Sequence, residues 1–162
     1  MPLTQVQGGM ILASGQSIPK AALPTGSVLQ VVVGTSTSAQ TTTSTSYVNY
    51  SSLNTSITPT SSTSKILVIA GALNIFNGAA NANMQITLYR GSTNLGGGNG
   101  YFAYLYGSST GNYAYPLTIT YVDSPATTSS TTYGIYGKTS SGTMDFNNGG
   151  SQLSMILMEI AA

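Results

Sequence analysis

A long apolar run, Ser64-Lys-Ile-Leu-Val-Ile-Ala-Gly-Ala-Leu-Asn-Ile-Phe76, lies near the middle of the chain. Successive side chains of a strand point to opposite faces of its sheet, so four consecutive apolar residues, 66 to 69, predict a strand buried on both faces. A helix is the alternative, but the β-branched residues and Gly71 favour a strand. We predict the central strand of a sandwich, covered on one face by a second sheet and on the other by a further layer or subunit.

The composition is that of a single β domain with almost no charge. The 162 residues are enough for one hydrophobic core. Charged residues make up 4% of the chain, where about 25% is usual, and the formal net charge is +1. We therefore predict no nucleic-acid partner and no membrane partner. Ser, Thr, Asn and Gly supply the polarity instead. Few charges normally lower solubility, so this composition favours a protein that is bound within a large assembly.

The inventory of reactive side chains argues against catalysis. Without Cys or His, the chain has no disulfide, thiolate zinc site, Ser-His-Asp triad or Cys-His pair. The three acids, Asp123, Asp145 and Glu159, are not brought together by the sequence as the acid and base of a glycosidase would be. Asp145 with Asn147 and Asn148 offers too few oxygen ligands to predict calcium. We predict a non-enzymatic protein with no catalytic residue, metal site or cofactor.

Short apolar runs separated by Gly, Ser and Asn continue along the chain from residue 27. Eight or nine strands at this spacing, with no convincing helix, predict an all-β fold, an antiparallel β-sandwich or jelly roll. The first strand is predicted to stop at Gly34, and the Ser/Thr tract from 35 to 45 to be a loop or an exposed edge. The runs 133–138 and 143–146 are predicted to form a hairpin. The last run, 152–162, is apolar on both faces.

Residues 1–26 differ from the rest and are predicted to form an extended attachment arm, with 27–162 as the β-sandwich domain. Three prolines and two adjacent glycines suit neither a helix nor a central strand. The apolar residues Val6, Met10, Ile11 and Leu12 are expected to contact a partner surface. The alternative is an unstructured terminus, as at most domain ends.

Glu159 lies in register with Leu153, Met155 and Leu157 in the last run, which predicts that it points into an apolar layer. A buried carboxylate is costly unless it is paired, and Lys65 and Arg90 are the predicted partners. The alternative is a solvated side chain at the end of the strand.

The tyrosines give the strongest indication of a binding surface. Tyrosine among Gly, Ser and Asn provides large contact area and adaptable hydrogen bonding, as in antibody loops. A host glycan or receptor is one interpretation, and packing at the sandwich ends or at a subunit interface is the other. The candidate residues, between two glycine-rich loops, are Tyr101, Tyr104, Tyr106, Tyr113 and Tyr115.

Four segments resemble a family of bacteriophage virion proteins found in phages of aquatic bacteria, cyanophages especially. They are GSVLQVV from Gly26, TSTSYVNYSSLNTSITPTSSTSKILVIA from Thr43, VDSPATTSSTTYGIYGKTSSG from Val122, and the ending LSMILMEIAA. The family comprises small fibre, tail or head-decoration proteins similar to trimeric jelly-roll modules. The resemblance implies a homotrimer that binds other phage virion proteins and is located on the particle surface.

Together these observations predict a trimeric tail-fibre or appendage module, anchored by its arm and adhesive. A capsid decoration protein that cements the head and a lectin-like glycan-binding module are the alternatives.

Overall fold

The chain folds into two antiparallel sheets that face each other. The computed structural model describes residues 23–108 and 113–162, apart from the side chains of Ala72 and Tyr113. The strands are β1 (Val28–Ser36), β2 (Thr41–Thr42), β3 (Val48–Asn49), β4 (Thr55–Ile57), β5 (Lys65–Asn77), β6 (Ala82–Arg90), β7 (Thr93–Asn94), β8 (Ala103–Gly107), β9 (Tyr113–Asp123), β10 (Thr131–Thr139), β11 (Met144–Asp145) and β12 (Leu153–Ile160).

The strand order defines a jelly roll. In the first sheet, here called sheet A, the long strands run β1-β12-β5-β9, and the short β11 and β2 extend the sheet beside the end of β5. In the second, sheet B, β3 and β4 both pair with β10, which pairs with β6, which pairs with β8 and β7. Within the described ranges each sheet thus has six strands, and the alternation of strands from distant parts of the sequence is that of a jelly roll. The predicted all-β sandwich or jelly roll is confirmed.

The core lies between the sheets, and β5 and β12 carry much of it. In β5, Ile66 and Val68 are fully buried on the inner face. In β12, Leu153, Met155 and Leu157 alternate in the same way, as their spacing predicts. The central strand β5 is not buried on both faces, however. Leu67 and Ile69 on the outer face of β5 are only half-buried, so a single chain covers one face of its central strand and leaves the other open.

Gly34 does not end β1, contrary to the prediction, because the strand continues to Ser36. The glycine serves close packing instead: a Cβ at this position would collide with the side chain of Thr55. The Ser/Thr tract after it is not entirely an exposed loop or edge. Thr41 and Thr42 pair with β11, and Thr42 is buried.

The predicted hairpin between 133–138 and 143–146 is wrong. Strand β10 belongs to sheet B, whereas β11 pairs with β5 and β2 in sheet A. The chain crosses from one sheet to the other at the Ser140–Gly142 turn. Met144 and Phe146 then fill the core beneath β10, close enough to Gly137 that a Cβ there would meet both side chains.

Candidate functional site

The outer face of sheet B is lined by tyrosines and uncharged polar side chains. Tyr89 and Tyr136 stack with ring centroids 4.0 Å apart, and Tyr47 contacts Tyr89 edge-on at 6.2 Å. The Tyr47 hydroxyl donates to Gln85 Oε1 (3.0 Å) and lies 2.7 Å from the carbonyl of Gly100, which holds the ring against the sheet. Burial and the neighbouring Tyr89 and Tyr101 raise the pKa of Tyr47, so this phenol stays neutral.

A cleft of about 270 Å³ opens on this face. It is lined by Thr45, Asn83, Gln85, Lys138, Thr139 and Ser140. Lys138 places its ammonium 4.7 Å from the centroid of the Tyr47 ring, a cation–π contact. Every lining residue is polar, and Lys138 is the single charge among them.

The structure separates the five candidate tyrosines. Tyr104 and Tyr106 lie on the outer face of sheet B beside the cleft and are 49% and 52% exposed. Tyr101 is half-buried and contacts Tyr104 at 5.7 Å between ring centroids. Tyr115 lies on β9 in sheet A, where its hydroxyl donates to the Tyr106 carbonyl and bridges the two sheets. The side chain of Tyr113 lies outside the described residues.

Sequence reasoning missed Tyr47, Tyr89, Tyr136 and Lys138 as neighbours of this surface. They come from β6, β10 and the segment before β3, which the sheet pairing brings together. The alternation along β10 could have indicated two of them: Tyr136 and Lys138 lie at even positions, on the opposite face of the strand from the buried Tyr133 and Ile135.

The outer face of sheet A is, by contrast, apolar. Two rows cross its four long strands in register, Val31–Met158–Leu67–Val122 and Val33–Ile156–Ile69–Thr120. The three valines of these rows are 51–56% exposed, and the other apolar members are half-buried. We call these two rows the apolar face. Contiguous exposed apolar surface of this kind marks an interaction site in soluble proteins.

Glu159 is fully buried on the inner side of β12, as its register predicts, but neither Lys65 nor Arg90 is its partner. Its carboxylate accepts hydrogen bonds from Gln30 Nε2 (2.6 Å) and from the Thr60 amide and hydroxyl (both 2.7 Å). The alternative of a solvated position is therefore also wrong. Burial raises the pKa of Glu159, but the nearby Ser64 hydroxyl and the donors on Thr60 and Gln30 outweigh it, so the net shift is downward.

Above this carboxylate, a cavity of about 400 Å³ lies where the described chain begins and ends. It is lined by Leu23, Leu29, Thr60, Ser61, Thr63, Ser64, Ala161 and Ala162. The arm residues Val6, Met10, Ile11 and Leu12 lie outside the described residues.

Asp123, at the end of β9, connects the two sheets. Arg90 Nη1 lies 2.8 Å from both of its carboxylate oxygens, and the Tyr133 hydroxyl donates to Oδ2 at 2.6 Å. Because Tyr133 is buried and hydrogen-bonded to a carboxylate, its pKa is raised far above the usual value. Arg90 therefore pairs with Asp123, not with Glu159.

Asp123 and Glu159 occupy one cross-strand row, with Ile66 of β5 between them. Two strand spacings place their Cα atoms about 10 Å apart. No spacing in the sequence indicated this proximity. Both carboxylates are at most 5% exposed and hold their own hydrogen-bond partners, so neither is open to a substrate.

Asp145 lies on β11 at the opposite end of β5, paired with Phe76. Its Oδ1 is buried without a hydrogen-bond partner, and burial raises its pKa. Asn147 Oδ1 is also unpartnered, whereas its amide nitrogen donates to the Ser151 carbonyl. In the described part of the chain, no three His, Cys, Asp or Glu side chains group together as metal ligands.

Comparisons with known proteins assign no family. No family model and no curated protein matches the chain. Among solved structures, it is similar to the VP2 protein of infectious bursal disease virus in derived T=1 particles. That match has a TM-score of 0.42 and 13% identity, and covers 94% of this chain and 41% of the other. It is also similar to the structure of the Gt strain of the same virus (TM-score 0.42, 14% identity, 96% and 44% coverage).

The chain spans less than half the length of either of these solved chains. The jelly-roll assignment rests on the strand order itself. Over residues 23–108 and 113–162, no helix is long and apolar enough to span a membrane.

Proposed function

We propose that this chain is a non-enzymatic structural protein of a bacteriophage particle, whose jelly-roll domain assembles into a homotrimer through the apolar face. The observation that carries the proposal is the pair of apolar rows on the outer side of sheet A. They lie on the central strands β5 and β12, so the feature that organises the fold also leaves an open surface. The sequence resemblance to phage virion proteins supports the location on a particle.

A three-fold arrangement suits this surface. Three sandwiches that direct sheet A towards a common axis would each have their apolar face covered by two neighbours, and closed symmetry leaves no such face exposed. The rim also fits: Lys65 pairs with Ile160 in the row beside Met158 and Leu67, which places its charge at the border of the contact. Interfaces are depleted of charge at their centre and polar at their rim.

The arm, residues 1–26, is proposed as the attachment element that binds another virion protein, and the Tyr-lined face of sheet B then points away from the trimer axis. This arrangement supports a tail fibre or appendage with an adhesive outer surface. A capsid decoration protein would use the same trimer to cement the head. A lectin-like module is a second candidate, favoured by the cleft around Lys138.

The proposal predicts opposite effects for two neighbouring residues of β5. Ile69→Asp places a charge at the centre of the apolar face and should give a folded monomer. Val68→Asp places it in the core, where an unpaired carboxylate costs several kcal/mol out of a total of about 5–15 kcal/mol, so this variant should not fold. Sedimentation velocity gives the mass and circular dichroism gives the fold.

Thr43→Asp, at an exposed position outside both sheets, is the matched control and should remain trimeric. A parent protein that sediments as a monomer at micromolar concentration would contradict the trimer. An Ile69→Asp variant that keeps the parent's mass would show that the apolar face is not the contact.

A further inference from the structure

We infer that the cleft on sheet B is a binding site for an acidic saccharide, a sugar that carries a carboxylate such as a uronic acid residue. The inference concerns the purified protein and does not rest on its place in a particle or on its oligomeric state. Three properties of the cleft carry it: an unpaired cation, unused hydrogen-bonding groups and exposed aromatic rings beside them.

The cation is Lys138. Among the described residues, none of the three carboxylate side chains pairs with Lys138: Asp123 pairs with Arg90, Glu159 accepts hydrogen bonds from Gln30 and Thr60, and Asp145 lies on β11 in sheet A, opposite Phe76 of β5. In the described part of the chain, Lys138 forms no ion pair, and its one aromatic contact is with Tyr47. A positive group without a counter-charge favours an anionic ligand.

The neutral hydrogen-bonding groups of the cleft lie in cross-strand register with Lys138. Lys138 pairs with Gln85, which pairs with Tyr104, and one row further Asn83 pairs with Tyr106. Gln85 Oε1 lies 3.0 Å from the Tyr47 hydroxyl, and the Gln85 amide nitrogen forms no hydrogen bond with the described residues. Ser140 Oγ accepts a hydrogen bond from the backbone amide of Asn83, so the Ser140 hydroxyl proton can still be donated to a ligand. Among the described residues, the side-chain amide of Asn83 forms no hydrogen bond.

These groups match the chemistry of a sugar. Amides and hydroxyls pair with its ring hydroxyls, and Lys138 pairs with its carboxylate. Tyr104 and Tyr106 offer exposed ring faces on which the apolar face of a pyranose can stack, at the edge strand β8 where a chain of sugars could continue. Tyrosine with small polar neighbours gives this contact at little entropic cost. A neutral sugar would leave Lys138 without its partner, so the acidic form should bind more tightly.

Isothermal titration of the full chain with trigalacturonate and with a neutral galactose trisaccharide tests the inference. The acidic trisaccharide should bind in the millimolar range or better and weaken as salt is added, and the neutral one should bind at least about tenfold more weakly, because a hydrogen bond to a charged group is lost. Lys138→Gln should abolish the difference between the two sugars, and Tyr104→Ala should weaken both.

Lys65→Gln is the matched control, since it removes one lysine charge from sheet A and should leave binding unchanged. Sedimentation of each variant separates this site from a subunit contact. Absence of binding to trigalacturonate at millimolar concentration overturns the inference, as does equal loss of affinity in Lys65→Gln. A Tyr104→Ala variant that changes oligomeric mass and not affinity would assign these tyrosines to an interface. None of these results bears on whether Ile69 lies in the trimer contact.

Discussion

Glu159 shows how a chain with few charges can bury one of them. Among the described residues no cation lies beside its carboxylate, which is held by three hydrogen bonds from Gln30 and Thr60. Ionised carboxylates that accept several such bonds are stabilised in their charged form. This binds the loop after β4 to the first and last strands of sheet A, so a single side chain joins segments 99 and 129 residues apart.

Because the folded-state pKa of Glu159 lies below the usual 4.5, its contribution to stability is complete above pH 4.5. That contribution is lost as the pH falls through 4.5 towards the folded-state pKa. Glu159→Gln should destabilise the protein at pH 7 by about 1–3 kcal/mol, because its amide then faces the Gln30 donor. Thermal melts at pH 7 and pH 3 should show a much smaller loss on acidification in the variant than in the parent.

Asp145→Asn is the matched control because the pKa of Asp145 is shifted the other way. Burial raises the pKa of Asp145, so the ionised side chain destabilises the fold at pH values above the folded-state pKa. Protonation at lower pH removes that destabilisation. The asparagine variant should be as stable as the parent, or more so, at pH 7, and should lose more stability than the parent on acidification. If Glu159→Gln keeps the acid sensitivity of the parent, another group is responsible.

For single residues, the sequence predicted the direction of a side chain better than it predicted the hydrogen-bond partners of that side chain. Period-two spacing correctly placed Glu159 inward and the alternate residues Ile156 and Met158 outward. It could not identify Thr60 as a partner, because that contact uses a backbone amide from a loop, and backbone donors leave no mark in a sequence. Lys65 and Arg90 were expected on charge alone.

At the scale of elements, β9 is joined to sheet B by the Tyr115 hydroxyl near its start and by Asp123 at its end. Asp123 receives Arg90 from β6 and Tyr133 from β10, so the charge pair and the phenol join strands of both sheets. The connection closes the sandwich beside Ile66, where the inner face of β5 would otherwise reach solvent. Elsewhere β9 is an edge strand, with Pro116 exposed on it.

Tyr133→Phe should destabilise the domain by about 2 kcal/mol, since a buried hydrogen bond to a charged group is lost without a change of shape. Tyr136→Phe makes the same change three residues along β10 on the outer face. Its hydroxyl forms no hydrogen bond with the described residues, so the cost should stay within about 0.5 kcal/mol. Urea denaturation of the parent and the two variants measures both changes in the free energy of unfolding. Equal costs at the two positions would mean that the Asp123 connection contributes no stability.

The sequence predicted the long strands because their apolar alternation is local. Residues 64–76 and 152–162 both form strands near those bounds. The short strand β2 was beyond its reach, since two residues carry no period, whereas β11 falls within the predicted run 143–146. The false hairpin has the same origin: two nearby apolar runs suggest pairing, but only the packing of Met144 and Phe146 under Gly137 sends β11 to the other sheet.

At the scale of the whole molecule, the two outer faces of the jelly roll differ in chemistry. Sheet A presents valine, isoleucine, leucine and methionine, whereas sheet B presents tyrosine, amides and one lysine. With 4% charged residues, the chain has little else to keep copies apart, so the proposed subunit contact would also protect the apolar face from aggregation. The sequence predicted the open face of β5 but not the polar cleft, whose residues come from β6, β10, the loop before β3 and the turn after β10.

The arm gives the prediction that tests the protein in its particle. Deletion of residues 1–25 should leave the jelly roll and the proposed trimer intact, because the first backbone hydrogen bond of the described chain to sheet A is donated by the Gly26 amide to the Ala161 carbonyl at 2.8 Å. The truncated protein should nevertheless be absent from purified particles. Prolines that pre-set the backbone lower the entropic cost of laying an extended segment on a partner, and apolar side chains supply the affinity.

Replacing Met10, Ile11 and Leu12 by serine at full length should cause the same loss from particles, while Ser14→Ala with Ser17→Ala serves as the control that keeps the apolar residues. Mass spectrometry of purified particles measures incorporation, and sedimentation of the same proteins reports the trimer. Normal incorporation of the truncated chain would refute the arm as the attachment element. Loss of the trimer on truncation would instead mean that the arm holds the subunits together, and that the apolar face of sheet A is insufficient alone.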